Sequence, residues 1–229
     1  MQEDTLKQFL PATESWFRKT FGEPTKIQRE AWPAIADGKH VLVSAPTGTG
    51  KTLSAFLVFI DQLGGLAERG ELKEELYVIY VSPLKSLAGD IRENLRKPLE
   101  GIGAEAPGES KAESRPGNPS IGQIQAAIRT GDTPQKERQR MVKHPPHILI
   151  ITPESLYLML TSKSGRQVLK TAKAIILDEI HALIDTKRGA HLMLSVARLD
   201  KLCGRRLQRI GLSATIEPLE LAAAYLSPG

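Results

Sequence analysis

The sequence predicts an α/β fold, a mostly parallel sheet with helices on both faces. Three observations carry that prediction. Short apolar, β-branched runs alternate along the chain with segments of helical pattern. The run Ala174-Ile175-Ile176-Leu177 is apolar at every position, as a parallel strand buried on both faces requires. Upstream, Ala45-Pro46-Thr47-Gly48-Thr49-Gly50-Lys51-Thr52 forms a glycine-rich loop between a strand pattern and a helix pattern.

Taken in order, Trp16, Phe17, Phe21, Ile27 and Trp32 outline a helical preface over residues 1–36, packed on the sheet by its aromatic side chains. Residues 37–229 then form the main domain. Strands are expected at 41–44, 77–82, 123–128, 147–152, 174–177 and 209–212. Helices are expected at 51–69, 86–96, 135–142, 153–160, 189–202 and 217–226, making right-handed crossovers between parallel strands. Residues 101–122 are rich in Gly, Pro, Ala, Ser and Glu and poor in large apolar side chains, so they read as a flexible surface insertion.

With 229 residues, 41% hydrophobic and 25% charged, the chain can bury a full core. Its single cysteine, Cys203, excludes an intramolecular disulfide framework and a cysteine-rich zinc site, and fits a reducing compartment. The polar start Met1-Gln2-Glu3-Asp4 lacks a secretory apolar core, and Leu53 to Ile60 is too short to span a bilayer, so a cytoplasmic location with no membrane partner is expected. The net charge of +5 is unevenly spread. Residues 1–110 carry 13 basic and 16 acidic side chains, whereas residues 163–209 carry 11 basic and 4 acidic. Such asymmetry suits one basic face turned to a phosphate backbone, although a solvated basic surface accounts for the charge equally well.

Chemistry concentrates at two places. In the loop from Ala45 to Thr52, small residues let successive backbone N–H groups curl around a phosphate at the start of a helix. Thr47, Gly48, Thr49 and Gly50 would form the cradle, Lys51 would reach the β- and γ-phosphates of ATP, and the Thr52 hydroxyl would bind Mg²⁺. The first position is Ala45, where the strict pattern has glycine. The second place is Asp178-Glu179-Ile180-His181, at the carboxyl end of a buried strand, where α/β sheets bind ligands. Asp178 would hold Mg²⁺ and Glu179 would orient and deprotonate an attacking water. Alone, an Asp-Glu pair after a strand is as often a solvated helix start; together with the loop it points to ATP hydrolysis.

These residues resemble the first RecA-like motor domain of superfamily 2 helicases, a class of P-loop NTPase, and most of all the large helicase-related family of DNA helicases. The resemblance runs from about Phe21 to the end. It implies an adenine-reading segment in Phe21 to Gln28, with Phe21, Thr25 and Gln28 at the ATP base; a helix start capped by Thr25 is compatible with the same residues. It implies nucleic-acid backbone contacts at Pro83 and Lys85, at Arg129, Thr130 and Gly131, and at Thr152, Pro153 and Glu154, the last three also being an ordinary helix start. It implies that His181, Ser213 and Thr215 couple hydrolysis to strand separation, although as single residues Ser213 and Thr215 are more often helix caps and a lone His is usually structural. The stretch from Lys187 to Leu192 points to the large helicase-related family, and basic side chains at a helix start there call for a phosphate or carboxylate partner.

The family's later motifs, with an arginine finger on a second RecA-like domain, have no counterpart in the sequence. A fragment of a longer motor, or a half-motor that needs a second domain in cis or in trans, is therefore expected. The implied activity is ATP-dependent 3′ to 5′ translocation on DNA, used in repair. A DEAD-box-like RNA helicase and an ATP-switched nucleic-acid-binding module are the alternatives.

Overall fold

The computed structural model describes residues 4–46, 48–83, 87–105 and 121–227. Among them six strands, β1 (Val41–Ser44), β2 (Val78–Val81), β3 (Ala126–Arg129), β4 (Ile148–Ile151), β5 (Ala174–Leu177) and β6 (Gln208–Ser213), form one sheet in the order β1-β6-β5-β2-β4-β3. Every pairing is parallel. All six carboxyl ends therefore lie on one edge.

The apolar runs have no polar face because the sheet has a core on each side. Along β2, Val78 and Tyr80 enter one core while Ile79 and Val81 enter the other. On β5, Ala174 and Ile176 likewise face opposite to Ile175 and Leu177. The first core is closed by α1 (Pro11–Phe21), α2 (Lys26–Ala36), α3 (Lys51–Glu68) and α4 (Leu87–Glu105). Against the other face lie α5 (Gln135–Lys143), α6 (Pro153–Thr161), α7 (Lys163–Leu169), α8 (Lys187–Cys203) and α9 (Leu219–Leu226).

The helical preface packs through its aromatics. The Trp32 ring is met edge-on by Phe9 at 5.0 Å and by Phe17 at 5.3 Å between centroids, an arrangement favoured by ring quadrupoles. Cys203 is half-buried, its Sγ 3.4 Å from the carbonyl oxygen of Leu169, and burial pushes its thiol pKa up.

Three expectations change. The third strand starts at Ala126 rather than at 123, after a short 3-10 turn at Ile121–Gln123. The helix expected at 86–96 runs on to Glu105, so residues 101–105 are helical and not part of a loop. Gly101 weakens the helix pattern in sequence because the helix needs its small size there: a Cβ would sit 2.1 Å from Nε1 of Trp16. Residues 106–120 of the expected insertion lie outside the described residues. Finally, α7 was not anticipated, although Ser162 caps it by accepting from the Gly165 N–H at 3.1 Å.

A buried ion pair ties α8 to β6. Arg209 donates through Nη2 to Asp200 at 2.5 Å and through Nη1 to the carbonyl of Leu226 at 2.8 Å, while the other Asp200 oxygen accepts from the Leu207 N–H at 2.9 Å. Removing one partner strands a charge in low dielectric. Asp200→Ala is expected to cost about 3–5 kcal/mol, measured by chemical denaturation; a loss below ~1 kcal/mol would show that Arg209 finds other compensation.

Candidate active site

The sheet edge divides into two halves. The ends of β1, β6 and β5 carry the loop, Ser213 and the acidic pair; those of β2, β4 and β3 carry the segments expected to contact a nucleic-acid backbone. Register sets the first half precisely enough to matter. Ser44 pairs with Ser213, and the Ala45 N–H donates to the Ser213 carbonyl at 3.1 Å, so the phosphate loop leaves the sheet beside the segment that follows β6.

Gly50 closes the loop in a left-handed conformation, φ +83°, from which α3 starts at once. The first turn of α3 has neither a side-chain cap nor an acidic residue, leaving its N–H groups available to an anion. Lys51 is buried, and its ammonium donates to the carbonyls of Ala45 at 2.5 Å and Pro46 at 2.8 Å. Thr49 Oγ1 braces the loop by donating to the Pro46 carbonyl at 2.8 Å. Thr47 lies outside the described residues.

Gln28 reaches this loop from α2. Thr25 and Gln28 form a capping box: the Thr25 N–H donates to Gln28 Oε1 at 2.9 Å and the Gln28 N–H to Thr25 Oγ1 at 3.3 Å. The helix-cap reading of these residues is thus realised, and it leaves the Gln28 amide nitrogen against Gly50, where a Cβ would approach within 2.9 Å. Phe21 is 54% exposed and packs its ring against Trp16 and Phe17.

Asp178 lies buried at the end of β5. Its Oδ1 accepts from the Glu179 N–H at 2.9 Å and its Oδ2 from the Tyr80 phenol at 2.5 Å. Burial pushes its carboxyl pKa up and the Glu179 charge adds to this, against the Tyr80 hydrogen bond and the Lys51 charge. The same burial, with the Asp178 charge, holds the Tyr80 phenol well above its ordinary pKa, and the Thr52 hydroxyl acts on that phenol in the opposite sense. Tyr80, invisible in the motif pattern, therefore stands between Thr52 and Asp178. A buried tyrosine in an otherwise aliphatic strand was the available signal, since its hydroxyl needs a partner.

Glu179 is non-glycine yet left-handed, φ +50° and ψ +42°, a conformation uncommon for a residue with a side chain. Its Oε2 lies 3.2 Å from Nε2 of His181. On the other side of that ring, Nδ1 accepts from the Ala214 N–H at 3.1 Å and lies 3.4 Å from Ser213 Oγ. Because Nδ1 is an acceptor, the neutral ring carries its proton on Nε2, facing Glu179. A chain of contacts thus joins Glu179 through His181 to Ser213 and Ala214; Thr215 lies beyond it, exposed.

Among the described residues no three His, Cys, Asp or Glu side chains gather as a metal site. Hard oxygen donors from Asp178 and Thr52 fit Mg²⁺, which keeps its waters and takes its other ligands from phosphates. Among the described residues no helix is long and apolar enough to cross a membrane.

The profile of the DEAD/DEAH box helicases matches residues 25–222. The chain belongs to that family. Similar curated proteins include the Lhr helicase and probable uracil glycosylase of Mycolicibacterium smegmatis, 48% identical over 98% of this chain, and the ATP-dependent helicase Lhr-Core of Methanothermobacter thermautotrophicus, 50% identical over 94% of it. The chain spans only 14% and 24% of those proteins. Among solved structures, Mycobacterium smegmatis Lhr bound to single-stranded DNA and AMP-PNP superposes with a TM-score of 0.86 at 48% identity, covering 98% of this chain and 27% of that one. The DEAD/DEAH box domain here has the RecA-like helicase fold.

In the other half of the edge, Pro83 is buried after β2, and Lys85 lies outside the described residues. Arg129 is half-buried at the end of β3, where burial and the nearby Arg138 charge lower its pKa. Thr130 is buried, its N–H donating to Thr133 Oγ1 at 2.9 Å, while Arg138 grips the Gly131 carbonyl at 2.7 Å. Thr152 caps α6 by accepting from the Ser155 N–H at 3.4 Å, with Pro153 buried in its first turn.

Glu154 faces Arg188, two parallel contacts of 2.7 and 3.2 Å, which supplies the carboxylate partner expected for the basic start of α8. Burial raises the Glu154 carboxyl pKa, but Arg188, its own backbone N–H and Thr152 together hold the value below normal. Thr186 caps α8, accepting from the Gly189 N–H at 2.9 Å. Gly189 is required by space: a Cβ would stand 1.9 Å from the Leu183 carbonyl oxygen, a backbone atom that cannot swing away. Gly189→Ala is expected to cost about 1–3 kcal/mol by overpacking, whereas Arg188→Ala, which breaks an exposed pair, should cost under ~1 kcal/mol. Thermal unfolding of both variants checks this, and the reverse ranking would refute the steric account.

Proposed function

We propose that this domain is the ATP-binding half of a superfamily 2 DNA helicase motor, working with Mg²⁺ in the cytoplasm. The observation that carries the reading is the convergence, on one sheet edge, of Lys51, Asp178 and the Glu179–His181–Ser213 chain of contacts. Similarity to Lhr bound to single-stranded DNA and AMP-PNP supports ATP and DNA as its ligands.

In this reading the N–H groups from Gly48 to Lys51 cradle the phosphates, and Lys51 exchanges its loop carbonyls for the β- and γ-phosphate oxygens. The side chains of Thr52 and Asp178 would hold Mg²⁺. The cation would supply neutralisation of charge that develops on the phosphate oxygens. Glu179 accepts a proton from the attacking water as its oxygen bonds to the γ-phosphorus and the bond to the ADP oxygen breaks. His181 holds the Glu179 carboxylate and reports its state to Ser213 and Ala214. Gln28, which reaches Gly50, would meet the base, with Thr25 and Phe21 in the same segment.

The half of the edge at β2, β4 and β3 would follow the nucleic-acid backbone, with contacts from the segments around Arg129, Gly131 and Thr152. A second RecA-like domain, in cis or in trans, would close on the nucleotide and supply the arginine finger, a contribution of about 10³–10⁵ in rate. Opening and closing of the pair would drive 3′ to 5′ translocation and unwinding in DNA repair.

Lys51→Ala is expected to abolish ATP binding, and Glu179→Gln to keep binding while slowing turnover by at least about 10²-fold, in the protein with its second domain restored. Turnover of Glu179→Gln at the original rate would refute the base assignment. Single-stranded DNA should stimulate the ATPase more than RNA does; equal stimulation favours an RNA helicase instead. ATP binding without turnover in the restored protein would favour an ATP-switched binding module.

A further inference from the structure

The phenol of Tyr80 has no part in the steps above, yet its placement is specific. Tyr80 occupies a fully buried position on β2, where an aliphatic side chain would fill the same core without bringing a polar group into it. Its hydroxyl meets Asp178 Oδ2 at 2.5 Å, the short range of a charge-assisted bond. Its ring is stacked on Phe56, centroids 4.8 Å apart and planes 18° apart. Phe56 sits one helical turn after Thr52 on α3, the helix that begins with Lys51.

The carboxylate of Asp178 is therefore fixed at both oxygens. The Glu179 N–H alone would leave rotation about its last torsion only loosely restrained, because that torsion is broad in carboxylates. The phenol supplies the second fixed point and refers it, through Phe56, to the helix that presents Thr52. Strand β2 lies next to β5 in the sheet, with Tyr80 opposite Ile176, two residues before Asp178, so alternation along both strands brings the two side chains to the same face.

We propose that Tyr80 is a positioning residue for the divalent cation that accompanies the nucleotide, holding Asp178 in the orientation that presents its free lone pairs to the metal and its waters. The proposal rests on the ATP-site reading above. Groups that orient metal ligands in this way are worth about 10–100-fold in metal affinity.

The test uses the full chain and Tyr80→Phe, which keeps the ring and its stack and removes only the hydroxyl. Mn²⁺ is titrated in the presence of saturating AMP-PNP and followed by electron paramagnetic resonance, and AMP-PNP affinity is measured separately in EDTA. Tyr80→Phe should bind Mn²⁺ about 10–100-fold more weakly while its metal-free nucleotide affinity stays within about twofold of the parent. Loss of both affinities together would mean a merely structural role and would overturn the proposal, as would unchanged Mn²⁺ affinity. Phe56→Leu, which frees the ring but keeps the hydroxyl, should give a smaller loss of Mn²⁺ affinity and guards against a folding defect in the first variant. If the parent chain itself shows no nucleotide-dependent Mn²⁺ binding, the ATP-site reading fails, and the role of Tyr80 with it.

Discussion

The hydrogen-bond register of β1, β6 and β5 is the constraint on which the site depends. Parallel pairing aligns three carboxyl ends from distant parts of the sequence, and each end delivers a different group: the loop before Lys51, the Ser213-Ala214 turn, and the Asp178-Glu179 pair. A one-residue slip would turn every side chain to the other face and send Asp178 away from α3. Packing opposes such a slip, because it would exchange side chains of different shape between two filled cores, Ile176 leaving one and Leu177 the other. Apolar packing is thus what holds the polar groups in place.

The site carries costs that the rest of the fold offsets. A carboxylate buried at Asp178, beside a second one, is unfavourable until a cation arrives, and its raised pKa expresses that. Glu179 adds a left-handed backbone, and Lys51 stays buried on two carbonyls. Neighbouring elements fix these groups from outside: Gln28 presses on Gly50, Tyr80 holds Asp178, and His181 spans from Glu179 to β6. In the proposed reaction the acidic pair would thus be oriented before ligands enter, as efficient electrostatic catalysis requires, while Lys51 would still exchange its carbonyl partners for phosphate.

What the sequence made legible follows from how local each signal is. Strand β5 lies at the residues expected because an apolar run buried on both faces has sharp ends, and the half-buried edge strand β1 does so because the glycine-rich loop follows it directly. The loop and the acidic box were legible as residue types in fixed spacing, and Thr25 with Gln28 as a cap because that bond spans three residues. Tyr80 with Asp178, Glu154 with Arg188 and Gly101 with Trp16 were not, because each meets its partner only across the assembled sheet or between helices. The glycines illustrate the difference best. Gly101 looked like loop composition and Gly189 like a motif letter, and in the fold each marks a close approach.

The most direct test of the account is a crystal structure of this chain with AMP-PNP and Mn²⁺, with the metal located by its anomalous signal. The predicted result is one manganese peak between the Thr52 hydroxyl and the Asp178 carboxylate, with the γ-phosphate beside Lys51. A nucleotide bound away from the loop between Ala45 and Thr52, or a manganese peak remote from Asp178, would contradict it.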